Sequence, residues 1–272
     1  MNTTTSSHTL TRPEGAIVYD LHGEGPLVVL VPGMGDLRAT YRFLVPVLAE
    51  AGYQVAVTDL RGHGDSDTTF SSYGDAETAS DVVALIEALG GPAVVIGNSM
   101  GAAAAAYAAA ERPDLVRGLV LMGPFLRDTS TATQRVLLRV AMARPWVAGV
   151  WKRYLLTLYA GRPAVDQDAY LADVAAAMKK PGHAKAFALL VKNLDHGVVR
   201  ERLSAVQAPS LVVMGELDPD FPDPAAEAQW IHQKIGAQVV MVSEAGHYPQ
   251  SQRPDAVAPA VLDFLAEVDG VA

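Results

Sequence analysis

Cysteine is absent from the 272 residues. That removes disulfides, thiolate catalysis and cysteine-ligated metal, and it suits a reducing cytoplasm. Positive charge is scarce: 21 Lys and Arg stand against 30 Asp and Glu, a formal net charge of −9. A surface of that sign repels a phosphate backbone. The pair Lys179-Lys180 is too small a cluster to reverse it, so nucleic acid is not an expected partner. No apolar run reaches the roughly 18 residues of a membrane span. The run 101–110 is apolar but short, closed by Glu111 and Arg112, and reads as a buried helix. The opening MNTTTSSHTLTRPEG lacks a basic region followed by an apolar one, so no secretory signal is expected there. Residues 1–14 read instead as a flexible tail. The expected setting is a cytoplasmic monomer or homodimer that handles a small molecule, with no membrane partner.

Half of the residues are hydrophobic, enough to bury a sizeable core. Short apolar runs alternate with amphipathic stretches. The runs 16–21, 27–31, 53–60, 93–97, 119–122, 210–214 and 238–242 are strand-like. Helical spacing covers 41–51, 75–89, 99–112, 224–235 and 254–268. Strands and helices alternating over short connections predict an α/β fold with a doubly wound, mostly parallel sheet. Strands covered on both faces explain why 27–31 and 94–96 are apolar throughout rather than alternating. Residues 125–207 break the rhythm, since their apolar spacing is helical only. They read as an all-helical cap inserted in a core formed by 15–124 and 208–272.

The strongest chemical signal is Gly97-Asn98-Ser99-Met100-Gly101, placed between a strand and a helix. A serine on so sharp a turn needs small residues two before and two after it, and Gly97 and Gly101 supply them. Ser99 then stands at a helix N-terminus, where developing negative charge is favoured. A hydroxyl is a weak nucleophile near neutral pH and needs a base in hydrogen-bond reach. Of seven histidines, His247 lies in the loop Glu244-Ala245-Gly246-His247-Tyr248-Pro249, directly after the last strand. That loop opens at the carboxyl edge of the sheet, as the Ser99 turn does. A free imidazole titrates near roughly 6.5, so activity is expected to fall as pH drops through that value. The imidazole needs a carboxylate to hold its tautomer. Gly215-Glu216-Leu217-Asp218-Pro219-Asp220 follows another strand at the same edge. Asp218 is preferred, because Glu216 sits too close to the strand end and Asp220 reads as solvated or as a turn cap. The glycine-rich loop Val31-Pro32-Gly33-Met34-Gly35-Asp36 offers backbone donors for an oxyanion, and the N–H groups of Met34 and Met100 are the expected pair.

These residues resemble the α/β-hydrolase superfamily, in its lidded esterase-like branch. The segments VPGMGD (31–36), DLRGHGDSD (59–67), GNSMG (97–101), GELDPD (215–220) and AGHYPQ (245–250, within the loop above) carry the resemblance. It covers most of 16–124 and 208–268. The resemblance implies the roles already given to Ser99, Asp218, His247, Met34 and Met100. It also implies a structural part for the 59–67 loop, His63 included. Pro32-Gly33 stands where many relatives carry His-Gly, so the support of the oxyanion loop departs from theirs. Relatives that open epoxides or displace halide use an aspartate at the position of Ser99, which argues against both reactions.

The expected function is hydrolysis of a carboxylic ester, or a related acyl bond, of a small and largely apolar substrate through an acyl-enzyme. No metal or organic cofactor is required. Met142, Trp146, Trp151, Tyr154, Tyr159 and Phe187 are pocket-wall candidates, although helical spacing places such residues more often in the core of the insertion itself. Lactone and amide hydrolysis, carbon–carbon bond hydrolysis of diketone-type substrates, perhydrolase or haloperoxidase-like chemistry, and slow-turnover ligand binding use the same triad.

Overall fold

The apolar runs gather into one eight-stranded sheet in the computed structural model, which describes residues 6–128, 140 and 146–270. The strands are β1 (Ser6–Arg12), β2 (Gly15–His22), β3 (Leu27–Val31), β4 (Gln54–Thr58), β5 (Ala93–Asn98), β6 (Val116–Met122), β7 (Ser210–Gly215) and β8 (Gln238–Val242). Their order is β1-β2-β4-β3-β5-β6-β7-β8. β1 and β2 run antiparallel to their neighbours, and from β4 to β8 every pairing is parallel. The described helices are α1 (Leu44–Glu50), α2 (Asp75–Ala88), α3 (Met100–Glu111), α4 (Val147–Leu158), α5 (Gln167–Met178), α6 (His183–Asn193), α7 (Gly197–Arg200), α8 (Pro224–Ile235), α9 (Pro249–Gln252) and α10 (Pro254–Asp269). None of them is long and apolar enough to cross a membrane.

Side chains alternate along a strand, so each central strand feeds two cores. Val29, Val31, Val95, Leu119, Leu121 and Val212 point to one face, where α2 and α3 cover them. Val28, Leu30, Val94, Ile96, Val120 and Val213 point to the other, against α1 and α10. This is why β3 shows no polar position. The alanines 102–106 of α3 are almost without exposure, and their small side chains let the helix lie close on the sheet. That closeness presents the N-terminus of α3 at the sheet's carboxyl edge.

A third apolar cluster joins α4, α5 and α6 to Tyr248, with Met34, Leu37 and Phe43 packed on it. Neighbouring residues of α6 serve two cores: Ala186 and Leu190 belong to the first sheet face, Phe187 and Val191 to the third cluster. The helices between β6 and β7 are therefore packed into the frame rather than laid over it.

The expected N-terminal tail is corrected for residues 6–12. They form β1, in a continuous antiparallel register from Ser6 opposite Leu21 to Arg12 opposite Gly15. Arg12 Nε donates to Asp81 Oδ1 at 2.9 Å, and Ser7 Oγ donates to Asp20 Oδ1 at 2.6 Å. An edge strand faces one partner only and needs few apolar residues; here Leu10 alone packs on the core. Its pairing is supplied by the free edge of β2, which the local polarity of 1–14 does not reveal.

Candidate active site

β5 ends at Asn98, and the chain reverses into α3 through Ser99, whose φ of 57° and ψ of −122° lie in a region that residues with a side chain seldom adopt. The glycines around it are required sterically. A Cβ on Gly97 would stand 2.4 Å from the Gly101 carbonyl carbon, and one on Gly101 would stand 2.3 Å from the Val31 carbonyl oxygen. A Cβ on Gly33 would stand 2.9 Å from Ser99 Cβ, so the 31–36 loop lies directly against the serine. Ser99 N–H donates to Met122 O at 2.8 Å. Asn98 adds a brace that the sequence reading did not anticipate. Its Nδ2 donates to Met122 O at 3.0 Å and to His247 O at 3.1 Å, tying the serine turn to the end of β6 and to the histidine loop.

The loops after β7 and β8 are joined by Leu217 N–H donating to Ala245 O at 2.9 Å. His247 Nδ1 donates to Asp218 Oδ2 at 2.7 Å, and both side chains are almost fully buried. Asp218 Oδ1 accepts from the backbone N–H of Asp220 at 3.0 Å. His247 N–H donates to Leu158 O at 2.8 Å, so the end of α4 fixes the loop. Gly246 permits this approach, since a Cβ there would meet Leu158 O at 2.4 Å. Gly123, another unanticipated residue, lies beneath the pair with φ 50°; a Cβ on it would be 3.1 Å from His247 Nδ1 and 3.2 Å from Asp218 Oδ2. Its signal in the sequence is only a glycine one residue beyond β6.

The structure thus unites Asp218 with His247, sets Gly33 against Ser99, and links the His247 backbone to Asn98, the residue before the serine. Among the described residues, the Ser99 hydroxyl makes no hydrogen bond to the imidazole. The backbone N–H groups of Met34 and Met100 have no acceptor among the described residues either.

Electrostatics around His247 differ from those of a free imidazole. Burial opposes its positive charge, but Asp218, Asp220 and Asp36 outweigh burial and push its pKa up to about 9. That environment differs from the free imidazole of about 6.5 assumed for the expected pH dependence. Asp220 is neither solvated nor a turn cap: its Oδ2 lies 3.7 Å from His247 Nδ1, and its Oδ1 accepts from the Tyr154 hydroxyl. Burial raises its pKa, against the opposing effects of His247 and Tyr154. Asp36, the last residue of the 31–36 loop, is buried, accepting from Leu37 N–H at 3.0 Å and from the Tyr170 hydroxyl. Burial pushes its pKa up to about 6. Asp218, Asp220 and His247 are also compact enough to hold a cation, with ligand atoms within 4.8 Å of one another. We assign no metal to them, because a metal on Nδ1 would displace the 2.7 Å bond to Asp218.

The other candidates take structural places. His63 is buried, its Nδ1 set against Arg61 O at 2.9 Å, and burial pushes its pKa down to about 4. Asp59 secures the 59–67 loop by accepting from Arg38 N–H at 2.8 Å and Asp65 N–H at 3.0 Å. His196 pairs with Asp75 at 2.7 Å. Trp151, Tyr159 and Phe187 belong to the core of the third cluster, whereas Trp146 is exposed. Met142 lies outside the described residues.

The chain belongs to the alpha/beta hydrolase family, whose pattern matches residues 28–260. Among its relatives is the pimeloyl-[acyl-carrier protein] methyl ester esterase of Neisseria meningitidis serogroup C, 30% identical over 248 residues that cover 89% of this chain and 94% of that protein. Another is the 2-hydroxy-6-oxononadienedioate/2-hydroxy-6-oxononatrienedioate hydrolase of Comamonas testosteroni, 29% identical over 262 residues, covering 93% of this chain and 88% of that protein. A solved structure of an N-acyl homoserine lactone degrading enzyme superposes with a TM-score of 0.78 at 27% identity, covering 94% of this chain and all of that one.

Proposed function

We propose that the protein is a serine hydrolase that cleaves a carboxylic ester of a small, largely apolar substrate. The observation that carries this reading is the 2.7 Å His247–Asp218 bond on a loop whose carbonyl is held by Asn98, the residue before Ser99. In this mechanism Ser99 Oγ attacks the ester carbonyl carbon while His247 Nε2 takes the hydroxyl proton. Asp218 holds the opposite nitrogen and stabilises the imidazolium. The free N–H groups of Met34 and Met100 receive the oxyanion. The imidazolium then protonates the departing alkoxide, and water activated by the same nitrogen releases the acid from the acyl-enzyme. No metal or cofactor enters these steps. The helices α4–α6 act as a cap, and their apolar surface suits an apolar acyl or alkyl group.

A second reading is hydrolysis of a carbon–carbon bond in a dienoate-type diketone, favoured by the relative from Comamonas testosteroni. The two are separated by supplying short-chain aryl esters and a coloured dienoate diketone to the same preparation. The proposed enzyme turns over the esters many times and is labelled by a fluorophosphonate at Ser99. Ser99→Ala abolishes both labelling and turnover with the thermal midpoint nearly unchanged. Ester turnover retained in purified Ser99→Ala would refute the assignment.

A further inference from the structure

The function proposed above leaves one charged group beside the base unused. Asp220 sits two residues after Asp218 on the same loop, with its side chain largely buried, and its Oδ2 is 3.7 Å from His247 Nδ1. It does not reach the nitrogen as Asp218 does. Its other oxygen is held by the Tyr154 hydroxyl, and Tyr154 belongs to α4, the first described helix between β6 and β7. The carbonyl of Leu158, one turn further along α4, accepts the backbone N–H of His247 at 2.8 Å. One helix therefore holds the histidine by its backbone and the second carboxylate by a side chain.

We propose that Asp220 is a positioning residue for His247: a second carboxylate, clamped by Tyr154, that shares with Asp218 the negative charge facing the imidazole and ties that charge to the seating of α4. The inference rests on the reading of His247 as base and deepens it. Burial alone disfavours an imidazolium, and one carboxylate at hydrogen-bond distance is the usual counterweight. Here the groups facing the ring are Asp218 and Asp220 from the loop after β7, Asp36 from the loop after β3, Phe125 from the segment after β6, and Tyr248 beside it. Asp220 is held from α4 by the Tyr154 hydroxyl, as Asp36 is held from α5 by the Tyr170 hydroxyl, but only Asp220 shares a loop with Asp218. Displacing α4 removes the Tyr154 donor, changes the ionisation of Asp220, and so changes how strongly His247 binds its proton. Seating of the helix and strength of the base become one variable.

The direct test follows the imidazole rather than the ester. His247 in the full-length protein is titrated by NMR in the wild type, in Asp220→Asn and in Asp220→Ser. A unit charge at this distance shifts the pKa by about one unit even with the screening of bulk water. The His247 pKa is expected to fall by about one unit or more in both variants; an unchanged value in a folded variant overturns the proposal. The kcat/KM profile of Asp220→Asn moves to lower pH with it, raising the share of neutral base at pH 7 by about tenfold. A variant that merely disturbs packing loses activity at every pH without that displacement, and that result also counts against the proposal. In Tyr154→Phe the Asp220 carboxyl loses a donor that favours its charged form, so its own titration moves up; no movement overturns the role of α4. If the wild type proves inactive on esters while the His247 shift is present, the ester reading fails and this inference stands. The converse pattern sinks this inference alone.

Discussion

The ionisation of His247 can be read by both rate and stability, and the two readings have opposite signs. The base must be neutral to take a proton from Ser99. With its pKa pushed up to about 9, kcat/KM is expected to climb with pH and level off only above that value. At pH 7, two units below, about 1% of the imidazole is neutral, so the rate lies about a hundredfold under its plateau. Stability runs the other way. The imidazole carries its ordinary pKa of 6.5 when unfolded and about 9 when folded, so the folded state binds the proton more tightly. Its contribution is fully present below 6.5 and is lost as pH rises through 9. A shift of that size corresponds to about 3 kcal/mol, worked from 1.36 kcal/mol per unit. The form that catalyses is the form this site stabilises least. The assay is an ester rate profile from pH 5 to about 10, with Ser99→Ala subtracted at each point, alongside urea unfolding over the same range. A rate already at plateau by pH 7, with His247 titrating below 7 by NMR, would refute the argument that two nearby carboxylates govern this base.

Three further outcomes follow from the same geometry. Ser99→Gly is expected to lose turnover yet gain about 1 kcal/mol of stability, because glycine adopts φ 57° without strain; a lower unfolding midpoint would contradict this. Gly123→Ala forces a methyl toward the His247–Asp218 pair, and displacing a catalytic group by about 1 Å costs about a hundredfold in kcat/KM. Wild-type kinetics from that variant would show that the pair is not held where the structure puts it. Removing residues 1–12 strips β1 from β2 and breaks the Arg12–Asp81 bond, so the thermal midpoint should fall by several degrees. No change would restore the reading of this segment as a tail.

Much of this arrangement was legible along the chain because it depends on local rules. A strand buried on both faces must be apolar along its buried run, and β3 and residues 93–96 of β5 are. A serine between a strand and a helix with glycine at both flanks can only mark a sharp turn, and Ser99 lies on one. Loops after strands of a parallel sheet open on one edge, which sets Asp218 and His247 on the same rim from the order of the chain alone. β1 was missed because an edge strand draws its stability from a neighbour rather than from its own residues.

What the chain could not disclose are the relations between distant segments. Asn98 bridging to His247, Gly123 lying under the Asp218–His247 bond, and Tyr154 reaching Asp220 each join residues far apart along the chain. No propensity, period or motif encodes such a distance. The same holds for the basicity of His247: a pattern identifies an imidazole and its carboxylate, but the strength of the base depends on burial and on every charge within a few ångströms. The amino-acid order determined the strands, the turns and the types of reacting group. Folding alone decided their spacing, and electrostatic energy depends on spacing.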